Sequence, residues 1–155
     1  MKQVLIDANL LILLVAGSVD SRIITKHKRL DAYRVTDYDV LISTIERFDK
    51  VLVIPNVLSE ASNLLSQTDE RTARALRLGL REQIAGSLES YIPSQAAAER
   101  PEYQRLGLTD AALLQCLIFD SARTLLTADL ELYLAAATSG RDAINFNHLR
   151  EFPEL

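Results

Sequence analysis

Four short apolar segments limit the fold most: QVLID (3–7), VLVIP (51–55), TLLT (124–127) and AINF (143–146). Each suits a buried strand, and long stretches with helical character lie between them. Short apolar strands alternating with helices predict an α/β domain, a three-layer α/β/α arrangement around a mostly parallel sheet. Right-handed connections leave such a sheet few topologies. A fifth segment, YIP (91–93), also reads as a short strand.

The expected helices follow from spacing and caps. They are NLLILLVAGS (9–18), DYDVLISTIERF (37–48), and NVLSEASNLLSQ (56–67) with Asn56 as its cap. A longer polar helix runs from Asp69 to about Glu89, and Ser94 caps a brief one that ends before Gly107. Thr109 starts the apolar DAALLQCLIF helix, and DLELYLAAAT (129–138) is the last. Residues 18–36 are polar and basic, read as loop or irregular helix.

A chain of 155 residues is expected to form one domain over residues 1–155. The net charge of −4 argues against a protein that binds polyphosphate by bulk attraction. Cys116 is the single cysteine, so no internal disulfide can form, and it reads as a small buried hydrophobe. No apolar run reaches the roughly 18 residues of a membrane span, so a cytoplasmic protein without a membrane partner is expected.

Acidic residues carry the chemistry. In a parallel α/β sheet, ligands bind beyond the carboxyl ends of the strands. Asp7 closes the first strand, Asp129 follows the TLLT strand, Asp110 opens a helix, and Glu60 lies one turn after VLVIP. Asp110 and Asp129 also suit helix N-termini, where negative charge is worth about 0.3–1 kcal/mol. Asp7 is harder to explain by capping alone, because an unpaired buried carboxylate is expensive. Two carboxylates about 4 Å apart repel by on the order of 4 kcal/mol at an effective dielectric near 20. A hard divalent cation, which takes oxygen ligands, relieves that conflict.

The stretches VLIDANLLILL, VIPNVLSEASNLL, GLTDAALL and LLTADLELYLAA, in that order, resemble the PIN domain, a fold of many bacterial toxin ribonucleases. The resemblance covers nearly the whole chain. It implies an endoribonuclease that hydrolyses RNA phosphodiesters with Mg²⁺ or Mn²⁺. The family's acidic residues correspond to Asp7, Glu60, Asp110 and Asp129. It implies that Asp7, Glu60 and Asp110 hold a first metal, that Asp129 completes the site or serves a second, and that Asn9 and Thr127 orient water or a carboxylate. A small antitoxin and a homodimer through apolar helices near the N-terminus are the expected protein partners.

RNA needs cationic contacts as well. TKHKR (25–29) with its neighbours supplies the candidates Arg22, Lys26, Lys28, Arg29 and Arg34, expected either to border the crevice or to be a solvated loop. Arg71, Arg74, Arg77 and Arg81 form a second basic set that reads equally as an exposed helix face. His27 and His148 lack ligand spacing and are expected at the surface or at helix ends.

Other chemistries find less support. Asp7-Ala8-Asn9 lacks the second acid of an aspartyl phosphotransferase, and AINFNH lacks the lysine of a phosphoacceptor receiver. Neither a G-x-x-x-x-G-K-[ST] loop nor a G-x-S-x-G elbow occurs. The remaining alternative is a non-catalytic module that uses the same pocket to bind RNA or protein.

Overall fold

The computed structural model describes residues 1–152. Five parallel strands form one sheet among these residues, in the order β3-β2-β1-β4-β5. The strands are β1 (Gln3–Ile6), β2 (Lys50–Val53), β3 (Leu88–Glu89), β4 (Arg123–Thr127) and β5 (Ala143–Asn145). Central β1 pairs on both sides, with Val4 opposite Val51 and Thr124, and it is wholly buried. That explains its uninterrupted apolar run, since a strand covered on both faces has no solvent side to alternate with.

The first connection holds α1 (Ala8–Val19), α2 (Arg22–Lys26), a 3-10 turn (Lys28–Leu30) and α3 (Val35–Ile45). Next come α4 (Pro55–Leu65) and α5 (Glu70–Ala85), which return the chain to edge strand β3. The path back across the sheet uses α6 (Ser94–Ala98), α7 (Tyr103–Leu106) and α8 (Leu108–Leu117). Beyond β4, α9 (Leu130–Thr138) leads to β5, and α10 (Phe146–Glu151) follows directly. The chain steps one way from β1 to β3 and the other way from β3 to β5, so right-handed crossovers put α1–α5 on one face and α6–α9 on the other. Packing agrees: α1 touches α2, α3, α4 and α5, whereas α8 touches α6, α7 and α9, and α4 and α8 also meet each other.

Helix α1 is the core of its layer. Leu10 through Ala16 are all buried, which leaves Val19 as its exposed apolar side chain. Gly17 permits that packing, because a Cβ there would overlap the Tyr38 ring of α3. Helix α1 therefore offers little apolar surface of its own to a second copy.

Several boundaries depart from expectation. The third strand lies at Leu88–Glu89, not at 91–93, where Tyr91 projects into solvent. Pairing with Leu52 and Val53 creates this strand, and α5 consequently ends at Ala85. Pro55, not Asn56, opens α4, with Ile54 at the cap position. Gly107, not Thr109, caps α8, and Pro93, not Ser94, precedes α6. The segment 18–36 holds α2 and a 3-10 turn, and Phe146 begins a helix instead of ending a strand.

Candidate functional site

Topology opens a crevice at the carboxyl edge. The chain leaves β1 toward one helical layer and leaves β4 toward the other, although the two strands are neighbours. Such a switch point is where open α/β sheets take ligands. A crevice of about 390 Å³ lies there, lined by Asp7, Asn9, Glu60, Thr109, Asp110 and Asp129, among others. All four predicted acids thus face one space. None of its lining residues is basic.

Asp7 stands where β1 ends and caps α1, its Oδ1 accepting the Leu10 amide at 3.3 Å. Capping is thus part of its role, but only one oxygen is used for it. Oδ2 accepts the hydroxyl of Thr127, a fully buried residue at the end of β4. The Asp7 carboxyl is pushed up to about 6, chiefly by burial, with Asp129 adding to the rise against the lowering hydrogen bonds of Thr127 and Leu10.

The Thr127 oxygen also accepts the Asp129 amide at 3.0 Å, so one hydroxyl joins two of the acids. Asp129 caps α9 through Oδ1, which accepts the Leu132 amide at 3.2 Å. Asp110 sits in the first turn of α8, half-buried. Burial pushes it up to about 7, and the charges of Asp129, Asp7 and Glu60 add to the shift. Glu60, on α4, is exposed at the outer wall, and Asn9 is exposed at the first turn of α1.

The donor set is all oxygen and all anionic or neutral, which suits a hard cation such as Mg²⁺ or Mn²⁺. No three Asp, Glu, His or Cys side chains among the described residues close around one point as a metal cage. Magnesium keeps several waters and takes only one or two carboxylates directly, so four acids lining an open crevice fit it.

The basic candidates go elsewhere. None of Arg22, Lys26, Lys28, Arg29 and Arg34 lines the acidic crevice. Arg22 pairs with Asp20 through both nitrogens of its fork, at 3.1 and 2.8 Å, and Arg29 donates to Gln67 at 2.6 Å. Arg22 and Lys26 line a separate cavity of about 580 Å³ with His27, Asp69 and Arg71. Arg74 and Arg77 both bind Glu70, as expected of an ordinary helix face. His27 is buried and stands at a helix end, as one of the two expected placements, closing α2 and capping the 3-10 turn; its Nδ1 accepts the Arg29 amide, which leaves Nε2 to donate to the Leu65 carbonyl at 3.1 Å. Cys116 is buried, as expected.

Sequence reasoning missed a group from α10 and the 30–37 segment. Arg150 binds Asp37 at 2.7 Å and lies 4.9 Å over the Tyr33 ring. Tyr33 is itself pushed up to about 12 by burial and by the Asp7 charge, against the pull of Arg150, which places its ring within electrostatic reach of the crevice. The signal available was Asn145-Phe146-Asn147 after an apolar strand, a helix-start pattern in which Asn145 accepts the Asn147 amide.

No protein-family model matches the chain, and no curated protein does. Among solved structures it is similar to the crystal structure of PAE2754 from Pyrobaculum aerophilum, with 21% identity over 96% of this chain and 94% of that one and a TM-score of 0.56. That likeness concerns the fold.

Proposed function

We propose that this chain is a divalent-metal-dependent endoribonuclease of the PIN-domain type. One observation carries the reading: Asp7, Glu60, Asp110 and Asp129, from four distant segments, line one crevice without a basic residue at the switch point of the sheet. Such a concentration of carboxylates is unfavourable without a counter-charge; Asp7 and Asp110 are raised chiefly by burial, and the neighbouring acids add to the rise. Perturbed carboxyls in a cleft mark functional sites in general.

In this reading Asp7, Asp110, Glu60 and Asp129 hold Mg²⁺ or Mn²⁺, directly or through water. When bound, the cation supplies Lewis acidity that activates water and offsets charge building at phosphorus. Thr127 holds the Asp7 carboxylate in one orientation through its hydroxyl. Asn9, exposed at the wall, presents an amide to water or to substrate. Exposed Lys28 and Arg34, on the segment that also carries Tyr33, and Arg29 beside them would meet RNA phosphates only outside the acidic crevice, which none of them lines. Arg22 and Lys26 would meet RNA only where it extends over the larger cavity.

The rim also suits a small regulatory partner such as an antitoxin. Leu108 and Leu130, 38% and 56% exposed, belong to the helix starts that carry Asp110 and Asp129. A peptide with an apolar face and one basic side chain would match that chemistry. A homodimer, if formed, draws on a surface other than α1.

The open spacing of the acids favours one competing reading, a module that binds RNA without cutting it. Incubating the protein with a single-stranded RNA oligonucleotide and Mn²⁺ separates the two. Cleavage is expected, stopped by EDTA and abolished in Asp7→Asn with the fold retained. Equal cleavage by the variant, or none by the parent with metal bound, overturns the nuclease reading.

A further inference from the structure

We infer that Asn147, on α10, is the positioning residue that holds Asp129 in the crevice. The inference rests on the nuclease reading only for its metal-binding consequence. Its basis is the single peptide unit between Ala128 and Asp129. The carbonyl of that unit, on Ala128, accepts the Asn147 Nδ2 amide at 3.0 Å. The N–H of the same unit, on Asp129, donates to the Thr127 hydroxyl oxygen at 3.0 Å. A peptide unit is planar, so a bond at each pole fixes the rotation of the whole plane. That rotation sets the backbone angle at which Asp129 leaves the β4–α9 turn, and with it the direction of its carboxylate.

The hold extends in both directions. Thr127 Oγ1, which receives the Asp129 amide, passes its own proton toward Asp7 Oδ2. On the other side, Asn147 is anchored through its backbone amide by Asn145 Oδ1 at 3.0 Å. A continuous line of hydrogen bonds therefore runs from the start of α10 to the acid closing the central strand. Chains of this kind polarise one another and act as a unit. Asn147 touches none of the four acids itself, and it does not line the crevice. Its influence passes through the Ala128 carbonyl. Arg150, one turn later, binds Asp37 and the Ala32 carbonyl and also donates to Asn147 Oδ1 at 3.5 Å, so it belongs to the same group. Leu149, a half-buried apolar residue of α10, serves instead as a control for general loosening of the helix.

The test compares Asn147→Asp, which keeps the shape but removes the donor, with Asn147→Ala and Leu149→Ala. Amide hydrogen exchange of the metal-free protein is followed at Asp129, and Mn²⁺ binding is measured by calorimetry. Both Asn147 variants should lose protection at the Asp129 amide, whereas Leu149→Ala keeps it. Partners outside a metal's own ligands typically change affinity about 10–100-fold when lost, and Mn²⁺ binding should weaken on that scale in both Asn147 variants. Parent-like protection in either folded Asn147 variant overturns the inference, as does an equal loss in Leu149→Ala. Loss of protection confined to the Asn147 variants, in a parent that binds no Mn²⁺, upholds the positioning role and removes the nuclease reading instead.

Discussion

Asp110 shows how one side chain can oppose folding when the site is empty and serve it when filled. It is half-buried, no hydrogen bond to its carboxyl exists among the described residues, and burial, with three neighbouring acids adding to it, raises it to about 7 from an ordinary value of 3.8. A carboxyl whose folded pKa lies above its unfolded one binds protons more tightly in the folded state. Its stabilising contribution is thus complete below about pH 3.8 and is lost as pH rises through about 7. Asp7, raised to about 6, acts with the same sign. Without metal, Asp110→Asn should therefore melt at a higher temperature than the parent at pH 8, with the gap closing toward pH 4. Saturating Mn²⁺ at pH 8 should reverse the order. A scanning fluorimetry series over pH, with and without Mn²⁺, checks this; a gap of constant size at every pH would exclude the charge cluster as its cause.

The elements differ in how far local sequence determines them. Helix α8 depends on Gly107, whose φ of 89° and ψ of 178° lie in a region essentially closed to residues with a Cβ. A Cβ there would meet no atom within 4 Å, so the whole effect of Gly107→Ala is backbone strain. A loss of about 1–3 kcal/mol in urea unfolding is expected, with weaker metal binding because Asp110 rides on the first turn. Stability within error of the parent would show that the turn relaxes freely. Helices with a strong apolar face or a cap were legible: α1, α4, α8 and α9 all fall within a few residues of their expected spans. Strand β3 was not, because its two residues are strand only by virtue of Leu52 and Val53 beside them. Helix α10 was hidden by its polar sequence, NHLRE, which shows no apolar face of its own and docks through Phe146, Arg150 and Asn147.

The whole molecule explains which site residues could be read and which could not. Asp7, Glu60, Asp110 and Asp129 were legible because strand ends and first helical turns all open on one edge of a parallel sheet, whatever the details of the loops. The cationic candidates were not, since the 18–36 segment folds back on Asp20, Gln67 and Leu65 through contacts distant in sequence or formed only by the turn itself. If the four acids form one ion site, the ion binds the folded state alone, and Mn²⁺ at about 100 times its dissociation constant should raise unfolding free energy by about 2.7 kcal/mol. Calorimetric melts of the parent and Asp129→Asn measure this; an equal rise in both would move the ion off the crevice.

Asp7 and Glu60 hang from the helical layer of α1 and α4, and Asp110 and Asp129 from the opposite layer of α8 and α9. A cation drawing on both pairs is consequently a rivet through a laminate. It would fasten two sheaths that otherwise meet mainly across the strands between them, with α4 and α8 in direct touch, so that gripping the ion and stiffening the protein become a single event.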